Sequence, residues 1–146
     1  MPDAYRLKSH PVKDQRVLAL AKETTGISCV DDLNRKGDPN GILAMSLRSA
    51  LAIQEHGMRF AVTHSLVRQL SNNVHLIEFK SKQTSWRMAA YAHGEGQEKP
   101  IFVLLEPFKG HGGKTGRIPD KKIKALEEKA CIAKDLIERE KEHGNL

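Results

Sequence analysis

The residues best suited to chemistry on an anion lie in two stretches of the chain. In SWRMAAYAH (85–93), Arg87, Tyr91 and His93 recur with the period of two that puts them on one face of a strand, opposite Trp86, Met88, Ala90 and Ala92. A guanidinium fork matches phosphate oxygens two at a time, a phenol can stack on a base or orient a phosphate, and imidazole moves protons near neutral pH. In GHGGKTGRIP (110–119), glycines let backbone N–H groups approach an anion, while Lys109, His111, Lys114 and Arg117 supply positive charge around it.

Each stretch also has a plainer reading. The loop resembles a phosphate-cradling P-loop only superficially, because the glycine required five residues before Gly113 is Phe108, and Gly116 and Pro119 interrupt the helix start. It then serves either as a phosphate-approaching loop or as a solvated basic turn. Arg87 follows the single tryptophan in a strand, where an idle guanidinium is costly, so it either meets a ligand or pairs with Glu78 on the neighbouring strand. His93 and His111 are either proton-transfer groups or surface residues. The seven histidines form no HExxH or HxH pattern, and Cys29 and Cys131 have no CxxC partner, so neither a metal nor a disulfide framework is expected. No GxSxG elbow points to a serine hydrolase.

The elements that must position these residues are read from periodicity. Three short β-rich segments, 75–81, 85–93 and 101–109, separated by turn material, predict an antiparallel three-stranded meander, one face packed on helices and the face of Arg87, Tyr91 and His93 open to a ligand. Residues 42–56 place Leu43, Leu47, Ala50 and Leu51 on one stripe and stop at Gly57, a helix. Residues 12–23 carry Val12, Arg16, Val17, Leu20 and Ala21 at helical spacing and are expected to form a short helix ending at Thr24-Thr25-Gly26. A last helix from about Asp120 to His143 shows a stripe of Ile123, Leu126, Ala130, Ala133 and Ile137. The turn formers NRKGDPNG (34–41) divide an N-terminal extension, residues 1–40, partly helical, from a main body, residues 41–146. The expected fold class is α+β: N-terminal helices packed on a small antiparallel sheet, with a C-terminal helix.

Length and charge bound the function. The 146 residues make about one domain, and 24 Lys+Arg against 18 Asp+Glu give +6, a balance that favours polyanionic partners. No apolar run approaches bilayer length and the N-terminus lacks the apolar segment of a secretory signal, so a cytosolic protein without a membrane partner is expected.

The order of features over roughly residues 45–130 resembles the phage-derived branch of the RelE/HigB toxin superfamily. Its carriers are AIQEHG (52–57), then LIEFKS with Leu76, Glu78, Phe79 and Lys80, then Trp86-Arg87-Met88, then FVLLEPFK ending in Phe108 and Lys109, then KTGRIPDKKIKAL with Lys114 and Thr115. The sequence departs from the family pattern at Lys80, where the family has arginine, in the inserted Gly110–Gly113, and in its long N-terminal extension. The resemblance implies the toxin of a toxin–antitoxin pair, cleaving mRNA on the ribosome without a metal or other cofactor and neutralised by a cognate antitoxin protein. Such cleavage uses the RNA 2′-hydroxyl as nucleophile. The protein needs only to hold the strand, move two protons and stabilise the phosphorane-like transition state. In that role Arg87 clamps the scissile phosphate, Lys80 and Lys109 hold flanking phosphates or assist proton transfer, His93 and His111 act as acid and base, and Lys114, Arg117 and Tyr91 bind RNA. The alternative is a noncatalytic nucleic-acid- or protein-binding regulator on the same scaffold, which the extension and the altered loop favour.

Overall fold

The computed structural model describes residues 5–9, 17–38, 41–64, 66–81, 84–94, 100–109 and 118–144. Their core is a mixed sheet of six strands, β1 (Tyr5–Ser9), β2 (Val17–Lys22), β3 (Val67–Gln69), β4 (His75–Ser81), β5 (Thr84–His93) and β6 (Ile101–Lys109), in the order β1-β2-β6-β5-β4-β3. β2 runs parallel to β6, with Val17 beside Phe102; every other neighbouring pair is antiparallel. The fold is α+β, but it is not the three-stranded meander with N-terminal helices that the sequence suggested. The meander is the β4-β5-β6 part of a sheet twice as wide.

The correction at the N-terminus has a physical cause. Val17, Leu18, Ala19, Leu20 and Ala21 are all buried, because β2 is an inner strand covered by helices on both faces. Such a strand shows a continuous apolar run rather than alternation, and periodicity alone cannot separate it from a buried helix. Residues 12–16 of the expected helix lie outside the described residues.

Among the described residues four helices cover the sheet. α1 (Cys29–Arg35), α2 (Ile42–His56) and α3 (Met58–Thr63) lie on one face, burying Val30, Leu33, Leu43, Ala50, Ile53 and Ala61 against Val17, Ile77, Met88, Ala90, Phe102 and Leu104. α4 (Asp120–Glu142) lies on the other, burying Leu126, Ala130, Ala133 and Ile137 against Leu18, Leu20, Leu76, Ala89, Tyr91, Val103 and Leu105. Fully burying a Leu or Ile contributes about 1.5–3 kcal/mol, so Leu126 and Ile137 alone hold α4 firmly on the sheet.

Local chemistry sets the helix ends. At α1, Ser28 Oγ accepts the Asp31 N–H at 3.2 Å and Asp31 Oδ2 accepts the Ser28 N–H at 3.0 Å, a reciprocal cap that satisfies donors the first turn leaves open. Asp38, with a left-handed φ of 46°, does the same for α2 by accepting the N–H groups of Leu43 and Ala44 at 2.9 and 3.2 Å. α2 ends at Gly57, as its sequence suggested, where φ is 91° and the N–H bonds the Ile53 carbonyl.

The alternation in β5 is as read from the sequence, but the face of Arg87, Tyr91 and His93 is not open. α4 packs on it, leaving Arg87 9% and Tyr91 6% exposed. Periodicity says which side chains share a face and is silent about which element covers it. A bulge at Leu105 in β6, between the Ala89–Glu106 and Ala90–Leu104 pairs, lets the consecutive residues Leu105 and Glu106 both face α4.

Candidate functional site: a cationic sheet end

The antiparallel register brings three of the expected site residues to one end of the sheet. Lys80, exposed near the end of β4, pairs with Ser85; Trp86 lies between Phe79 of β4 and Lys109 at the end of β6; Arg87 lies between Glu78 and Phe108. The His111, Lys114 and Arg117 positions follow Lys109 directly in sequence and lie outside the described residues.

The two carboxylates nearest this end are already engaged. Glu78, the register partner of Arg87, accepts Arg68 Nε at 3.1 Å. Glu106 accepts Lys122 Nζ of α4 at 2.8 Å, and the same ammonium sits 5.5 Å above the Phe108 ring, a cation–π contact that fastens the first turn of α4 to the end of β6. Sequence reasoning missed Arg68 and Lys122, since nothing local marks pairs that are 10 and 16 residues apart in the chain.

Tyr91 and His93 do not join this group. Six strand positions separate His93 from Arg87, about 20 Å at the ordinary rise. Tyr91 Oη and His93 Nδ1 bond at 2.9 Å beneath the last turns of α4. Burial lowers the His93 pKa, Lys141 and Lys134 add to the effect, and Glu138 opposes it. With its ring beneath α4 and its hydroxyl on His93, Tyr91 offers no free face for a base.

The remaining reactive groups are quiet. Burial pushes the Cys29 thiol up to about 12, and burial with the neighbouring Glu127 carboxylate raises Cys131, so neither is a ready thiolate at neutral pH. Cys131 lines a groove of about 670 Å³ along α4 with Ile123, Lys124, Glu127 and Ile132, closed on one side by Ser71 of the β3–β4 turn. Glu127 is held there by the Ser71 hydroxyl at 3.0 Å and the Asn73 N–H at 2.8 Å. Among the described residues no three His, Cys, Asp or Glu side chains gather as metal ligands, and no helix is long and apolar enough to cross a membrane.

No protein-family model, curated protein or solved structure matches the chain. The sheet end offers positive charge to an anionic strand, and among the described residues the proton-transfer candidate His93 stands far from it.

Proposed function

We propose that the protein binds RNA through the cationic end of its sheet and leaves the strand intact, acting as a regulator rather than a nuclease. One observation carries this reading: the register brings Lys80, near the end of β4, and Lys109, at the end of β6, to the same end of the sheet, and in the sequence residues 79–94 and 107–119 contain no carboxylate. The bordering acids Glu78 and Glu106 are satisfied by Arg68 and Lys122. Their charge is therefore spent locally, and the excess positive charge remains for phosphates. Such a regulator would work in the cytoplasm, where its RNA is.

Cleavage is the second reading, favoured by the gathering of Lys80, Arg87 and Lys109 at one end of the sheet, with Lys109 on the face opposite the other two. It supposes a toxin held by an antitoxin, attack by the RNA 2′-hydroxyl and a phosphate reaching Arg87. The burial of Arg87 under α4 and the distance of His93 weigh against it. The test titrates a fluorescent RNA across salt concentrations and runs the recovered RNA on a sequencing gel. Binding without cutting predicts full-length RNA and a fall in log affinity of about 3 per decade of salt for about four phosphate contacts on a single strand. RNA shortened with time would select cleavage. Absence of a complex at low salt would remove both readings.

A further inference from the structure

The turn from α2 into α3 carries a feature that the cationic sheet end does not use. His56, Phe60 and His64 recur every four residues, and their rings form a column: His56 and Phe60 lie 4.8 Å apart at 35°, Phe60 and His64 4.0 Å apart at 26°. His64 Nδ1 lies 3.0 Å from the Phe60 carbonyl oxygen. A carbonyl only accepts, so Nδ1 carries the proton, the ring is pinned in the stack, and Nε2 is left as an acceptor, or as a donor when protonated. Both imidazoles are exposed. The inner faces of the column are satisfied by one another. The outer faces of the two imidazoles have no ring against them among the described residues.

Charge and position indicate the occupant. From residue 56 to residue 77 the chain has no Asp or Glu, and with Arg68 paired to Glu78 the cation left near the column is Arg59. Arg59 is exposed beside Phe60. The Leu66 carbonyl accepts the Glu78 N–H at 2.9 Å, which sets the chain just after the column beside the middle of β4, two residues before Lys80. Exposed planar rings beside a cation, in a stretch without carboxylates, suit an unpaired nucleic-acid strand, because every base has a stacking face and a duplex has hidden its own.

We propose that the His56–Phe60–His64 column is a stacking platform for unpaired bases, so that the ligand of the sheet end is single-stranded RNA; this rests on the RNA-binding reading and extends it. The strand's phosphates would follow Lys80 toward the column, and its bases would continue the stack on the outer imidazole faces.

The experiment compares a fluorescent single-stranded oligonucleotide of RNA with an RNA duplex of equal length. Wild type, His56→Ala/His64→Ala, His56→Tyr/His64→Tyr and Lys80→Ala/Lys109→Ala are titrated with each, and circular dichroism verifies folding. The alanine pair is expected to weaken single-strand binding by about 5- to 150-fold for each base unstacked and to leave duplex binding unchanged. The tyrosine pair, which keeps flat rings, is expected to restore it. Unchanged single-strand affinity in the alanine pair, or equal loss for both ligands, would overturn the platform, while a loss in the lysine pair would still sustain the RNA-binding reading. Failure of wild type to bind either RNA would overturn both.

Discussion

Lys8 Nζ and Asp31 Oδ2 lie 2.9 Å apart, joining the edge strand β1 to the first turn of α1. The same carboxylate accepts the N–H and hydroxyl of Ser28 at 3.0 Å. Burial by itself would raise the Asp31 pKa, but the Lys8 ammonium and the Ser28 donors overcome it and hold the carboxyl below its ordinary 3.8. A carboxylate whose folded pKa is depressed stabilises the fold above its unfolded pKa, and that contribution fades as pH falls through the folded value. Asp31→Ala should therefore cost about 1 kcal/mol, a few degrees in Tm, between pH 5 and 8. Thermal melts of the two proteins should converge below about pH 4. A difference that persists unchanged at pH 2 would contradict this account.

His93 has the opposite linkage. Its folded pKa lies below the ordinary 6.5, chiefly through burial, so the unfolded chain binds the proton more readily and stability declines as pH falls through 6.5 toward the folded value. His93→Gln removes this titration while keeping a polar partner for Tyr91 Oη. The Tm of wild type should fall more steeply than that of the variant between pH 7 and 5, as differential scanning fluorimetry would show. Parallel slopes would refute the burial of a neutral imidazole.

Arg87 should act on the fold before it acts on a ligand. The side chain is 9% exposed under α4, with Glu78 and Phe108 as register partners. Arg87→Ala should cost about 1–3 kcal/mol in urea unfolding through lost packing and polar contacts, and leave the RNA affinity of the folded protein within about twofold. A tenfold loss of affinity at unchanged stability would place Arg87 in direct contact with phosphate.

α4 closes the face on which those residues stand. Leu126 is 1% exposed and packed among Leu76, Ala89 and Val103. Leu126→Ala should destabilise by about 2–5 kcal/mol, the ordinary result of emptying a core site. Lys124→Ala, on the exposed side of the same helix, should change stability by less than about 0.5 kcal/mol. Chemical denaturation of both would show whether the helix is part of the core or a detachable cover.

What the sequence made legible follows from what local patterns encode. The stripe from Leu43 to Leu51, the Gly57 stop, the three meander strands and the α4 stripe are short-range signals, and each stands in the structure where its pattern puts it. β2 was misread because both of its faces are covered, which erases alternation. The parallel Val17–Phe102 pairing joins residues 85 positions apart and leaves no local trace. The same limit applies at the candidate site. The strand ends bearing Lys80 and Lys109 could be read, whereas the Arg68–Glu78 and Lys122–Glu106 pairs and the burial of Arg87 depend on how distant elements meet.

The central claim is that the sheet end carries the RNA site, and one measurement tests it most directly. Fluorescence anisotropy of a labelled single-stranded RNA is recorded with wild type and with Lys80→Ala/Lys109→Ala at several salt concentrations. The account predicts a tenfold or greater loss of affinity at low salt, a salt slope shallower by about 1.4 for two phosphate contacts removed, and an unchanged melting temperature. Equal affinity and equal slope in the two proteins would contradict it.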